Sequence, residues 1–247
     1  MLLIGLTGGI ACGKSTMVTM LEQQHQIIVI DADRVVRGLQ RPFMPCTRKI
    51  ARRWPECVDL QTGDLDRAAL AGIIFRDSQA RRELERIMHF PIFASIMTSL
   101  LLFWWQSVRR RLRGEGPLLV VLDVPLLYES KIYTLFIDAA VVVGSTEELQ
   151  IARLMKRNGI TRGEVLQRIR AQMPVEEKCR RADYVIRNNG TLTELACSVN
   201  DSVAWMRRQS GCRMDIIVFG VVGGGIACLA TAVHLLCRLL CRLLEEA

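Results

Sequence analysis

Near the start of the chain, Gly8-Gly9-Ile10-Ala11-Cys12-Gly13-Lys14-Ser15 sets glycines, a lysine and a hydroxyl in the Gly-x4-Gly-Lys-Ser spacing of a Walker A loop. The chemistry it suits is phosphate binding. Glycines let successive backbone N–H groups turn inward around phosphate oxygens, and a helix starting at Lys14 adds the positive end of its dipole. Lys14 is then placed to reach β- and γ-phosphates, and the Ser15 hydroxyl to ligate Mg²⁺. Gly8 to Thr16 is the candidate nucleotide site. Cys12 lies near a helix N-terminus, where a thiol can be acidified and oxidised, although filling space is the simpler role.

Three further groups bear on the same chemistry. Asp31 and Asp33 follow an apolar run, at the strand edge where open α/β sheets bind ligands. Asp33 is the expected base for an attacking hydroxyl and Asp31 its more structural partner. Leu119 to Asp123 has four hydrophobic residues and then Asp, the form of a Walker B strand, which assigns Asp123 to the magnesium shell. Arg153 and Arg157, four apart, share a helix face that either closes over a transferring phosphate or faces solvent.

The elements that must position these groups alternate between strand and helix. Apolar runs Leu2–Leu6, Ile27–Ile30, Leu118–Leu122, Ala139–Val143 and Tyr184–Ile186 read as strands covered on both faces, with helices between them. Ser145 to Glu148, Thr161 to Glu164 and Thr191 to Glu194 have the capping-box form that opens a helix. Residues 34–114 read as a helix-rich insert, within which apolar Ile92–Trp105, short for a bilayer, is expected to be a core helix. The fold class is α/β.

The net charge is +8, from five lysines and 28 arginines against 25 acidic residues. Guanidinium groups suit phosphates or anionic lipid. The basic runs are scattered and no nucleic-acid motif accompanies them, so no nucleic-acid partner is expected. Nine cysteines contain no Cys-x-x-Cys pair and the three histidines are far apart, which argues against a zinc site or a disulfide framework. Residues 216–237 hold no charged residue and lie between Arg213 and Arg238, after a basic linker (206–215) and before a short tail (238–247). That length is expected to cross a bilayer as a C-terminal anchor, with the catalytic part facing the cytosol and the organelle, endoplasmic reticulum or mitochondrial outer membrane, undetermined. Gly220 and Gly224 have the spacing of a helix-dimer contact, and Cys237 with Cys241 are candidate palmitate acceptors or simply lipid-buried.

Over residues 1–205 the chain resembles the dephospho-CoA kinase family. The matching residues are Ile4 to Ala11 running into Gly13-Lys14-Ser15-Thr16, Asp31-Ala-Asp33, Gly63-Asp64-Leu65-Asp66-Arg67, and Asp123-Val124-Pro125-Leu126-Leu127-Tyr128-Glu129. Farther on, Arg153-Leu154, Arg157, Gln172-Met173 and Ala182 to Ile186 with Asn188 continue the match. The resemblance implies a P-loop kinase fold with a helical substrate-binding insert and a lid at about 145–173, ATP and Mg²⁺ as cofactors, and dephospho-CoA as acceptor. It implies Lys14, Asp33 and Arg153 in catalysis, Arg157 and Asn188 at ATP, and Asp31, Asp33, Asp66, Arg67, His89, Pro125, Leu126 and Glu129 at the acceptor. The family's His-Pro is interrupted here as His89-Phe90-Pro91, and Cys12 stands where Ser is common. Two other readings stay open: a kinase for another hydroxyl acceptor, and a membrane-tethered nucleotide switch or scaffold.

Overall fold

A computed structural model describes residues 1–59 and 61–222. Its organiser is a parallel five-stranded sheet in the order β2-β3-β1-β4-β5, formed by β1 (Leu2–Gly8), β2 (Ile28–Asp31), β3 (Leu119–Asp123), β4 (Ala139–Gly144) and β5 (Tyr184–Arg187). Strand β1 lies in the middle, hydrogen-bonded to β3 on one side and β4 on the other, and all seven of its residues are buried. Central position explains its unbroken apolar run, because neither face meets water.

Helices cover both faces. Helices α1 (Lys14–Gln23) and, at the far end of the chain, Leu192–Arg208 pack Met17, Leu21, Val199 and Met206 against Leu2, Ile4, Leu6 and Val141. The opposite face carries Leu3, Val120, Leu122 and Val142 under Ile96 and Leu100. The insert follows β2 as α2 (Ala32–Leu39), α3 (Pro45–Arg53), α4 (Arg67–Arg76) and α5 (Ser78–Leu112), with its own core of Cys46, Ile50, Trp54, Cys57, Leu70 and Met88. After the short α6 (Leu127–Ser130) come α7 (Glu147–Asn158) and α8 (Arg162–Arg170), closed by Ile151, Leu154 and Val165, then α9 (Val175–Arg181) and α10 (Leu192–Arg208).

Several expectations change here. Helix α5 runs for 35 residues and contains Pro91. By length and hydropathy it is the one helix among the described residues that could span a bilayer, yet Ile96 and Leu100 are fully buried on the sheet. It is therefore a docked helix, and only one side of it is core: Leu101, Leu102 and Trp105 are exposed.

Ser145 does not cap α7, whose N-cap is Thr146 without a side-chain hydrogen bond. Strand β4 continues to Gly144, so Ser145 is turned inward and is fully buried. Thr161 and Thr191 do form complete capping boxes, with Glu164 and Glu194 reaching back. The expected linker 206–215 shrinks to 209–212, because α10 reaches Arg208 and residues 213–222 are helical. Met214 is fully buried in the same cluster as Met1 and Leu3. Of the expected bilayer anchor, 223–237 lies outside the described residues, as do Gly224, Cys237 and Cys241.

Candidate active site

The loop from Gly8 to Ser15 is held by contacts that only its own residue types allow. A Cβ on Gly8 would sit 2.5 Å from the carbonyl oxygen of Val143. Gly13 has φ +90° and caps α1, and a Cβ there would meet Asn188 Nδ2 at 2.2 Å. Buried Asn188 donates to the carbonyl of Cys12 at 2.9 Å, so it clamps the loop backbone from β5's end rather than pointing freely at a ligand. Ile10 and Ala11 pack on Ile151, Leu154 and Val165 of α7 and α8, which couples the loop to the expected lid. Cys12 is buried and its sulfur accepts from Ser145 Oγ at 3.4 Å. Burial pushes the thiol's pKa up against the hydrogen bonds that lower it, so the acidified thiol considered above gives way to a space-filling one.

At the sheet's C-terminal edge, Lys14 Nζ donates to both carboxylate oxygens of Asp123, at 2.5 and 2.7 Å. Asp31 is the cross-strand partner of Asp123. Its side chain accepts from Arg34 N at 2.9 Å, capping α2, and pairs with Arg34 and Arg37 at 3.6 Å each. Burial raises the Asp123 pKa, the Lys14 ammonium opposes this, and the negative charges of Asp31 and Asp33 add to the rise. Asp33, in the first turn of α2, lines the same cavity of about 460 Å³ as Lys14, Ser15, Arg153, Arg157 and Gln172. Arg153 Nη1 is buried without a hydrogen-bond partner, whereas Arg157 lies outward with Nε on Asn158 Oδ1 at 3.0 Å.

This donor set fits a magnesium ion bound mainly through a nucleotide's phosphates. Mg²⁺ prefers hard oxygen ligands and usually takes only one or two carboxylates, keeping the rest of its shell for phosphate and water. Ser15 offers a hydroxyl on the cavity, and Asp123, buried behind Lys14 and bound to it through both oxygens, is the carboxylate that would serve such an ion once Lys14 turns to phosphate. No cage of three His, Cys, Asp or Glu side chains occurs among the described residues, and such an ion needs none.

A second constellation went unnoticed in the sequence. Lys178 on α9 is fully buried, with Nζ 2.9 Å from the Pro125 carbonyl and 2.9 Å from Glu129 Oε1. The same Glu129 oxygen accepts from Met173 N at 3.1 Å, and Thr7 Oγ1 donates to Pro125 O at 2.9 Å. The ion pair joins α9 to α6, and through the hydrogen bonds of its two members it holds Met173, at the end of the 145–173 segment, and the Pro125 carbonyl. Burial alone would raise the Glu129 carboxyl, but hydrogen bonds from Lys178 and main-chain donors hold its pKa below the usual value. The signal was present: Val175, Lys178 and Cys179 share one face of α9, so the lysine lies between apolar residues.

Of the other residues named for the acceptor, Pro125 alone lines this cavity. Asp66 caps α4 by accepting from Ala68 N and Ala69 N, both at 2.9 Å, and exposed Arg67 follows it. His89 is exposed on α5, because His89-Phe90-Pro91 lies inside that helix. Pro125 lines the cavity, Leu126 beside it is exposed, and Glu129 is engaged by Lys178.

The parallel sheet, the Walker loop between β1 and α1, and the acidic edge facing two arginines define a P-loop kinase. Residues 2–194 match the family model described as dephospho-CoA kinase. A dephospho-CoA kinase of Bacillus licheniformis is 44% identical over 193 residues, covering 78% of this chain and 90% of that protein. One from Symbiobacterium thermophilum is 43% identical over 211 residues, covering 85% and 83%. A Thermus thermophilus crystal structure superposes with TM-score 0.64 at 34% identity over 85% of this chain and 98% of that one. The Campylobacter jejuni dephospho-CoA kinase, at 20% identity and TM-score 0.55, shares the fold over 83% and 96%. This chain belongs to the dephospho-CoA kinase family.

Proposed function

We propose that the chain transfers the γ-phosphoryl group of ATP to the ribose 3′-hydroxyl of dephospho-CoA, giving CoA and ADP, the last step of CoA synthesis. The observation that carries this reading is the convergence of Lys14, Asp33, Arg153 and Arg157 on one cavity beside the Walker loop, in a chain of this family. Backbone N–H groups of Gly8 to Gly13 cradle the phosphates, and Lys14 turns its charge toward the β- and γ-oxygens. Asp33, at the edge of the same cavity, accepts the proton of the attacking hydroxyl, a role general bases fill for factors of about 10²–10⁴. Arg153 and Arg157 meet the charge spread over the equatorial oxygens. Magnesium, held at Ser15 and Asp123, would neutralise the charge between the two terminal phosphates.

For residues 216–237 we propose a bilayer anchor, supported by their length and lack of charge. The test of the catalytic reading is formation of CoA from dephospho-CoA with Mg²⁺ and ATP, using adenosine and shikimate as control acceptors. Selective CoA formation is the expected result; turnover of a control acceptor in preference, or nucleotide binding without product, would overturn it.

A further inference from the structure

Exposed apolar residues gather where α5 meets the helix of residues 213–222. Trp104 joins them: its ring stands edge-on to Phe219 at 6.0 Å, and its Nε1 donates to Asp215 Oδ1 at 2.7 Å, while Arg111 pairs with Asp215 at 3.0 Å. Around this joint Leu102, Trp105, Ile216 and Phe219 are each at least half exposed, and Leu101 nearly so. Leu101 and Leu102 lie one turn before Trp105, so the α5 residues form one patch, continuous through the adjacent Trp104 with Phe219. Soluble surfaces seldom leave such a patch without an occupant.

Two features point to lipid. The helix of residues 213–222 contains the first seven residues of the charge-free run 216–237, and 25 more residues follow Val222. The run therefore starts on this face rather than at a distance from it. Beside the patch, Arg109 places its guanidinium 5.5 Å from the Trp105 ring, and Arg113 follows one turn later. Of the acidic groups near this end, Glu115 and Asp215 are paired with Arg110 and Arg111, and Asp138 accepts from Leu3 N, Cys212 N and Arg213 N. Tryptophan beside arginines that form no ion pair among the described residues is the composition of a membrane interface.

We propose that the joint face of α5 and the 213–222 helix lies in the interfacial zone of an anionic bilayer, with Trp105, Leu101, Leu102 and Phe219 at the acyl boundary and Arg109 and Arg113 at the headgroups. The proposal extends the anchor reading: it fixes how the catalytic domain sits on the membrane.

The test uses the full chain with phosphatidylcholine vesicles, with or without phosphatidylserine, containing lipid brominated high in the acyl chain. Trp105's share of the emission is the difference between the unsubstituted protein and W105F. That share is expected to be quenched, more strongly with phosphatidylserine, and to lose its quenching in L101E/L102E while the protein stays with the vesicles. Vesicle-bound protein whose W105F difference is unquenched overturns the face proposal and leaves the anchor standing. Protein that remains in the supernatant overturns both. A concentration-dependent shift of Trp105 emission without lipid, accompanied by dimerisation, would make a second copy the occupant and overturn the proposal as well.

Discussion

Replacing Lys178 by Met removes a fully buried ammonium while keeping an unbranched chain of similar length, and leaves Glu129 with Met173 N but no cation. Breaking a buried pair by removing one partner costs about 3–5 kcal/mol. Glu129 keeps 24% of its side-chain surface, so solvent recovers part of that and K178M should lose about 2–3 kcal/mol, or roughly 5–10 °C in melting temperature for a domain of this size. The sign of the pH dependence follows from Glu129. Its carboxyl lies below its usual value in the native protein, so it stabilises above the unfolded value of about 4.3 and loses this as pH falls through the folded value. Without Lys178, burial dominates and raises the carboxyl, so the penalty is full at neutral pH and fades as Glu129 protonates. Urea unfolding from pH 7 to 4 should therefore show the gap between K178M and the unsubstituted protein closing toward acid, and E129Q/K178M should recover stability at pH 7. A gap independent of pH, or a double variant no better than K178M, would refute the ion-pair reasoning. Because Lys178 holds the Pro125 carbonyl at the cavity and its partner Glu129 holds Met173 N at the end of the 145–173 segment, K178M should also lower kcat more than it raises KM for ATP.

Asp33→Asn should lower turnover by about 10²–10⁴ while nucleotide affinity, measured with a fluorescent ATP analogue, stays near its original value; lost affinity would make Asp33 structural. Gly13→Ala places a methyl group against Asn188 Nδ2 at a positive φ, and the same titration should show ATP binding reduced at least tenfold. Thr191→Ala should cost about 1 kcal/mol of stability by removing a complete capping box, whereas Thr146→Ala, with no side-chain cap to lose, should cost much less in the same urea experiment. Cys12, buried and with its thiol pKa raised, should resist iodoacetamide at neutral pH in the native protein, and mild peroxide should leave activity unchanged.

By itself the sequence determined the strands, the phosphate loop and the order of the kinase elements. Those signals are local: apolar runs of strand length, the glycine spacing from Gly8 to Gly13, and Thr-x-x-Glu caps at Thr161 and Thr191. The same local logic misread Ser145, because whether a hydroxyl caps a helix depends on where the preceding strand ends, and β4 ends one residue before it. It also marked Ile92–Trp105 as apolar without showing which residues turn inward: Ile96 and Leu100 are buried on the sheet, while Leu101, Leu102 and Trp105 stay outside. Tertiary structure alone decided the pairings: Lys14 with Asp123, Asn188 with the Cys12 carbonyl, Lys178 with Glu129 and Pro125. Each joins residues 49 or more apart in the chain, and such partners are chosen by the sheet order that brings their strands' ends together. Asp66 and Asp31 show the converse, since a carboxylate before a helix caps it whatever else its motif suggests: the nearest unsatisfied N–H groups are two or three residues away.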